Sequence, residues 1–283
     1  MLDSPDKPAS PSRQRKSKLA TKADNPLARN LASFPSNAVR KDLVSRACAG
    51  ASGVSSQTLW SRAPDRSEPQ RGRSRKRSTW ITVDQARNVI NGARLAAILG
   101  LPLNRFITIN WAAMGVTDPV KATGRFLKLI KDALRSKGCA SAHVWVSECG
   151  PVQGVHTHIV IHMPPELGRW WQARQAQWLK QCGAVPVRGG VVSRAVGGSY
   201  HCSQGDEQSR AHYMINLFEV IDYILKGVCR RARMTLNVRH KAYGGTVTGK
   251  RTATSQNIGK AAWQRFARTP GNTVLSGLHT GIL

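Results

Sequence analysis

Acidic residues are scarce in this chain. Its 283 residues hold 15 Asp and Glu against 43 Lys and Arg, a formal charge of +28. An imbalance of that size speaks about partners rather than fold, and it points to a polyanion: a nucleic acid or an anionic membrane. Long apolar runs are also missing. No stretch reaches the roughly 18 consecutive apolar residues of a spanning helix, and the first residues, "MLDSPDKPASPSRQRK", lack the apolar core of a secretion signal. Nucleic acid is therefore the expected partner, with no membrane, and the cytoplasm, bacterial by its high Arg and Ala content, is the expected compartment. The six cysteines never form a C-x-x-C pair, which argues against a zinc knuckle or a disulfide framework and for reduced thiols.

The chain divides by composition. Residues 1–78 carry seven of the 14 prolines, 14 serines, and 17 Lys and Arg against six Asp and Glu. Their apolar residues are sparse and aperiodic, which predicts a disordered basic region. It ends in "RGRSRKRS", where Arg73, Arg75, Lys76 and Arg77 read either as a solvated linker or as an arm that grips phosphates. From residue 79 to 243 the pattern is that of a folded domain. Helical periodicity covers 82–100 and 117–138, the second with Asp118 as N-cap and Pro119 in the first turn. Strand-like segments stand at 105–111, 142–148, 156–163 and 185–196, and further helices at 164–183 and about 210–233. The order predicts an α+β fold on an antiparallel sheet with flanking helices. Residues 244–283 read as a basic tail. No acidic residue follows Asp222, while residues 223–283 hold 11 Lys and Arg, among them Arg230, Arg231 and Arg233. The adjacent Trp170 and Trp171 are expected to pack against the sheet rather than to stack on bases.

One segment, "ECGPVQGVHTHIVIHMP" (148–164), concentrates chemistry. In a strand, residues two apart point to one face, so His156, His158, Val160 and His162 share a face while Thr157, Ile159 and Ile161 face the core. The Cα atoms of His156 and His158 lie about 6.6 Å apart, within reach of one ion, whereas His162 is about 13 Å from His158 and out of reach. A hairpin returns Glu148 toward the same strand. Two imidazoles and a carboxylate with open coordination positions suit a divalent ion that also holds a substrate oxygen. On the last helix Met214, Phe218, Ile221, Leu225 and Val228 form the apolar face, and Tyr223, Lys226 and Arg230 fall opposite with Glu219. Tyr223 is thus no packing aromatic by pattern. Beside a metal-held phosphodiester a tyrosine can serve as covalent nucleophile.

These residues resemble the HUH endonucleases, in particular the rolling-circle replication initiators of plasmids and small single-stranded DNA phages and viruses. Three motifs stand in that family's order over residues 104–232: a hydrophobic strand, Phe106-Ile-Thr-Ile-Asn-Trp111; the pair His156-Thr-His158 with Glu148 upstream; and Tyr223-Ile-Leu-Lys226 on a helix. The resemblance implies an antiparallel-sheet domain of the RRM or ferredoxin-like kind and a nickase acting on single-stranded or origin DNA. Tyr223 would form a 5′-phosphotyrosyl link, Glu148, His156 and His158 would hold Mg²⁺ or Mn²⁺, and Lys226 would steady the phosphate or the tyrosine. Glu219 takes the place at which some plasmid initiators carry a glutamate that activates water in the closing step. A host helicase and polymerase would be the implied partners.

Three rivals remain at this stage: a single-tyrosine HUH transposase, a relaxase, and a non-enzymatic basic nucleic-acid-binding protein whose histidines are structural. "GGTVTGKRT" (244–252) nearly fits a phosphate-binding loop, but Arg251 stands where Ser or Thr should hold Mg²⁺. The segment is expected to be a basic loop, and no fused helicase is expected.

Overall fold

The computed structural model describes residues 76–199 and 201–269, so Arg73 and Arg75 lie outside the described residues. In chain order the elements are β1 (Arg77–Ser78), α1 (Val83–Ile98), β2 (Arg105–Asn110), α2 (Pro119–Arg135), β3 (His143–Gly150), β4 (Gly154–Ile161), α3 (Gly168–Gln181), β5 (Val191–Ala195), α4 (Glu207–Ile224), α5 (Arg230–Thr235), β6 (Val247–Thr248), β7 (Thr252–Thr254) and α6 (Lys260–Arg268). The fold is α+β. Its main sheet has five strands in the order β5-β2-β4-β3-β7, with every neighbouring pair antiparallel. From β2 to β5 the elements run βαββαβ.

Local chemistry explains the helix starts. Thr82 caps α1 in a capping box with Gln85, so two otherwise orphaned N–H groups are satisfied. Asp118 caps α2 by accepting from the Lys121 N–H at 3.0 Å, and Pro119 follows where its missing N–H costs nothing.

Alternation along the strands feeds two cores, not one. Ile107, Ile109, Trp145, Ile159 and Ile161 pack under α2 and α3, against Phe126, Ile130, Trp171 and Trp178. Phe106, Val144, Val146 and Val160 face the other way, against α1 and α4 and residues such as Val89, Leu217 and Ile221. The sequence pattern assigned the core to the Thr157–Ile159–Ile161 face alone. In the structure helices cover both faces, and the face bearing His156 and His158 is apolar through Val160. Trp171 is fully buried, as expected. His162 lies just past β4, where its Nδ1 meets the Pro102 carbonyl at 2.9 Å, apart from the other two histidines.

Two boundaries need correction. Residues 244–269, expected to belong to a tail, are part of the fold, and residues 270–283 lie outside the described residues. β7 is the edge strand beside β3, β6 pairs with β1, and α6 buries Trp263 in the core shared with α1. The folded unit also starts before residue 79, since Arg77 and Ser78 form β1. The helix expected over about 210–233 is two helices: α4 ends at Ile224 and α5 begins at Arg230. Between them the chain runs beside Ile81, whose N–H donates to the Gly227 carbonyl and whose carbonyl accepts from Cys229, both at 3.0 Å. Among the described residues no helix is long and apolar enough to cross a membrane.

Candidate metal and tyrosine site

The register of β3 against β4 pairs Glu148 directly with His156. Adjacent β2 pairs Thr108 with His158. Glu148 and His156 therefore leave one face of the sheet at the same level, with His158 two residues further along β4 on the same face, and all three are buried. Glu148 Oε2 lies 3.4 Å from His156 Nε2 and 3.5 Å from His158 Nε2, and the three ligand atoms fall within 4.8 Å of one another. Ligands about 2.1 Å from a single ion sit roughly 3.0 to 3.5 Å apart, so this spacing fits a shared divalent cation.

The far sides of the rings are fixed. His156 Nδ1 lies 3.1 Å from the Gly154 carbonyl. A carbonyl only accepts, so Nδ1 donates, and Nε2 is the ring nitrogen that faces Glu148 and is placed to ligate a cation. His158 Nδ1 meets the Thr108 hydroxyl at 3.0 Å. Burial is the main force lowering the His158 pKa, with Lys226 acting in the same sense, and it favours the neutral, ligating imidazole. At Glu148 burial by itself pushes the pKa up, but His156, His158 and Lys226 outweigh it and hold the carboxyl well below the usual range. Its other oxygen, Oε1, is buried and finds no partner among the described residues. A buried carboxylate oxygen left unmatched beside two oriented imidazoles fits a cation site.

Tyr223, in the last turn of α4, stands at the rim and is 37% exposed. Its ring meets that of His158 edge-on at 5.4 Å between centroids, with Phe106 at 6.3 Å. The three sequence motifs therefore converge: Phe106 of β2, His158 of β4 and Tyr223 of α4 touch one another. Lys226 joins them from an unexpected direction. It lies beyond the helix end, not on the helix face with Tyr223. Its ammonium donates to Glu148 Oε2 at 2.5 Å, lies 3.4 Å from His158 Nε2, and sits 4.1 Å from the Tyr223 ring centroid. The turn comes this close because residue 227 is glycine. A Cβ there would meet the Gly244 Cα at 3.3 Å and Glu148 Oε1 at 3.6 Å.

Glu219 pairs instead with Arg239, Nη2 to Oε2 at 2.8 Å, on a half-exposed surface. Arg230 and Arg231 are exposed on α5, Arg233 is half-buried there, and Lys76 and Arg77 are exposed at the first strand. None of these five contacts the Glu148 cluster through a hydrogen bond or ion pair among those described.

Sequence reasoning missed several groups. Asp222 is buried and accepts from the backbone N–H groups of Arg239 and His240 and from His240 Nδ1. The His240 ring in turn lies 6.0 Å from the Tyr223 ring. Arg194 stacks over Phe106 at 5.1 Å. Arg251, expected in a basic loop, is fully buried. Its guanidinium donates to the carbonyls of Ser78, Ser147, Gly244 and Gly245. Position 245 itself must be glycine: its φ is +63°, and a Cβ would stand 1.8 Å from the Cys149 carbonyl oxygen. The only advance signal for Arg251 was the pair of glycines, Gly244 and Gly245, seven and six residues before it.

Comparisons with protein-family models, with curated proteins and with solved structures each found no match.

Proposed function

We propose that this protein is a metal-dependent endonuclease and strand transferase of the HUH kind, acting on single-stranded or origin DNA as an initiator of rolling-circle replication. The observation that carries the reading is the placement of Tyr223, a half-exposed phenol in ring contact with His158 at the mouth of a buried Glu148–His156–His158 cluster. A surface tyrosine has no structural need of such a neighbour. The βαββαβ core with its extra edge strand is compatible with the RRM-like or ferredoxin-like domain of those enzymes.

In the proposed reaction the Tyr223 oxygen attacks the scissile phosphorus. The Tyr–O–P bond forms, the bond from phosphorus to the 3′-oxygen breaks, the phenolic proton passes to solvent, and the freed 3′-oxygen takes up a proton. One P–O bond replaces another, so attack by a 3′-hydroxyl reverses the step and rejoins strands. A divalent ion, Mg²⁺ or Mn²⁺, held by Glu148, His156 and His158 would draw charge from a non-bridging phosphate oxygen. Lys226 lies within reach of both carboxylate and phenol ring, so it can pass from Glu148 to the phosphate. The cationic surface supplies affinity for the strand. Glu219 is proposed as the residue that activates water in the closing step, which requires it to leave Arg239.

The test is a covalent-adduct assay. The protein is incubated with a diverse single-stranded oligonucleotide library and Mn²⁺, then run under denaturing conditions. The expected result is a shifted band that EDTA prevents and that Tyr223→Phe abolishes, while Tyr223→Phe still binds DNA. An adduct that survives Tyr223→Phe removes Tyr223 from the chemistry. Binding of DNA with no adduct from the wild-type protein favours a non-enzymatic nucleic-acid-binding protein.

A further inference from the structure

Two aromatic side chains outside the three motifs stand exposed beside the cluster. Trp80 is 49% exposed and Tyr243 60%, and their rings meet edge-on at 5.7 Å between centroids, inclined at 70°. Large aromatics bury most of their surface when they serve a core. A mutually braced pair left open to solvent instead offers a ring face to a ligand.

The backbone under the pair is held firmly, and held to the site. Ile81, next to Trp80, exchanges hydrogen bonds with Gly227 and Cys229. Ala242, before Tyr243, donates to the Lys226 carbonyl at 3.0 Å, and Gly244, after it, accepts from the Cys149 N–H at 2.9 Å. The aromatic segments thus lie on either side of the turn carrying Lys226 and abut the residue following Glu148. The buried Arg251 guanidinium staples both, donating to Ser78 on one side and to Gly244 and Gly245 on the other.

The surrounding charge selects the ligand. Lys76, Arg77, Lys241 and Lys250 are exposed on these same segments, and no acidic residue follows Asp222 in the chain. A ligand with flat apolar faces and a polyanionic backbone fits both features. Duplex DNA hides its base faces in the stack, so the ligand is single-stranded.

We propose that Trp80 and Tyr243 form a stacking platform for an unpaired nucleobase of the strand whose phosphodiester lies at the Glu148–His156–His158 cluster. This rests on the reading of that cluster as a DNA-processing site. The platform fixes the strand on the Lys226 side of the metal site, and Arg251 acts as its positioning residue.

The test measures binding of the full chain to a fluorescent 20-nucleotide single strand by polarisation. Trp80→Ala is expected to weaken binding about tenfold, within the range for one base stacked on an aromatic side chain. Tyr243→Ala should weaken it by a similar factor, and Trp80→Phe should restore most of the loss. An oligonucleotide with abasic sites throughout keeps every phosphate and should bind wild type and Trp80→Ala alike. Unchanged melting temperatures exclude misfolding, as expected for exposed positions. If the wild type binds the strand and Trp80→Ala binds it equally well, the platform is wrong and the nuclease reading stands. The platform is also wrong if the abasic strand shows the same tenfold difference, because Trp80 then acts through the backbone. A wild type with no affinity for single strands removes the platform and the DNA reading together, leaving the exposed aromatics to a protein partner.

Discussion

Lys226 and a divalent cation would compete for the same oxygen. The lysine ammonium lies 2.5 Å from Glu148 Oε2, with only 16% of the lysine side chain exposed. Without a metal it is the cation in direct contact with the buried carboxylate, beside the two imidazoles. Breaking a buried ion pair from one side costs about 3–5 kcal/mol, because the other charge is left uncompensated. Lys226→Met is therefore expected to lower the melting temperature of the metal-free protein by roughly 6–20 °C, at about 2–4 °C per kcal/mol for a domain of this size. Mn²⁺ should then stabilise the variant more than it stabilises the wild type, since the ion replaces the lost charge without displacing a lysine. Equal Mn²⁺-induced shifts in thermal melts would mean that Lys226 and the ion do not share Glu148. His143 makes a different prediction. Burial, assisted by Lys131 and Lys250, pushes its pKa from 6.5 down to about 4, and its buried Nδ1 has no partner among the described residues. The folded pKa lies below the unfolded one. As the pH falls below 6.5 the unfolded chain takes up a proton that the folded chain refuses, so stability is lost between pH 6.5 and about 4. Melting temperatures should fall across that window, and His143→Asn should flatten the fall. An unchanged slope would place the acid sensitivity elsewhere.

Elements that depend on local chemistry were legible in the sequence. Asp118 and Pro119 marked the start of α2, and the β3–β4 hairpin with its His-Thr-His face followed from alternation and a glycine-bearing loop. The Glu148–His156–His158 cluster, which could hold a metal ion, was legible because strand period and hairpin pairing bring the three residues to one face. Elements set by tertiary contact were not legible. Leu225 to Arg233 carries no helix breaker except Gly227, yet α4 stops at Ile224 because the following turn lies between Ile81 and Gly244. That break carries Lys226 to Glu148, so helical phase alone placed Tyr223 correctly and Lys226 on the wrong path. β7 has three residues and no alternation long enough to detect. It nevertheless completes the sheet, and with it come the buried Arg251 and Trp263. A chain truncated after residue 243 is expected to lose cooperative unfolding, because it uncovers the β3 edge and removes the guanidinium that ties Ser78, Ser147 and Gly244 together. A truncated chain that melts cooperatively near the wild-type temperature would return residues 244–283 to the status of a tail.

At the scale of the whole molecule the dominant fact is charge, and charge was legible at once while its division of labour was not. Residues 1–75 contain 15 Lys and Arg against six acidic residues, and the remaining residues 28 against nine. Both parts are cationic, but only the second contains the Glu148–His156–His158 cluster, Tyr223 and the Trp80–Tyr243 pair. The two parts should therefore separate experimentally into affinity and chemistry. Each phosphate neutralised on a single strand contributes about −0.7 to the slope of log K against log salt concentration. Six such contacts give a slope near −4, a loss of several hundred-fold between 50 and 200 mM salt. Removing residues 1–75 is expected to flatten that slope by one or more units, and to leave the Tyr223-dependent adduct intact at low salt, where the remaining cationic surface suffices. A slope unchanged by the deletion would show that residues 1–75 do not touch the strand. Loss of the adduct at low salt, with binding retained, would show that those residues complete the site itself.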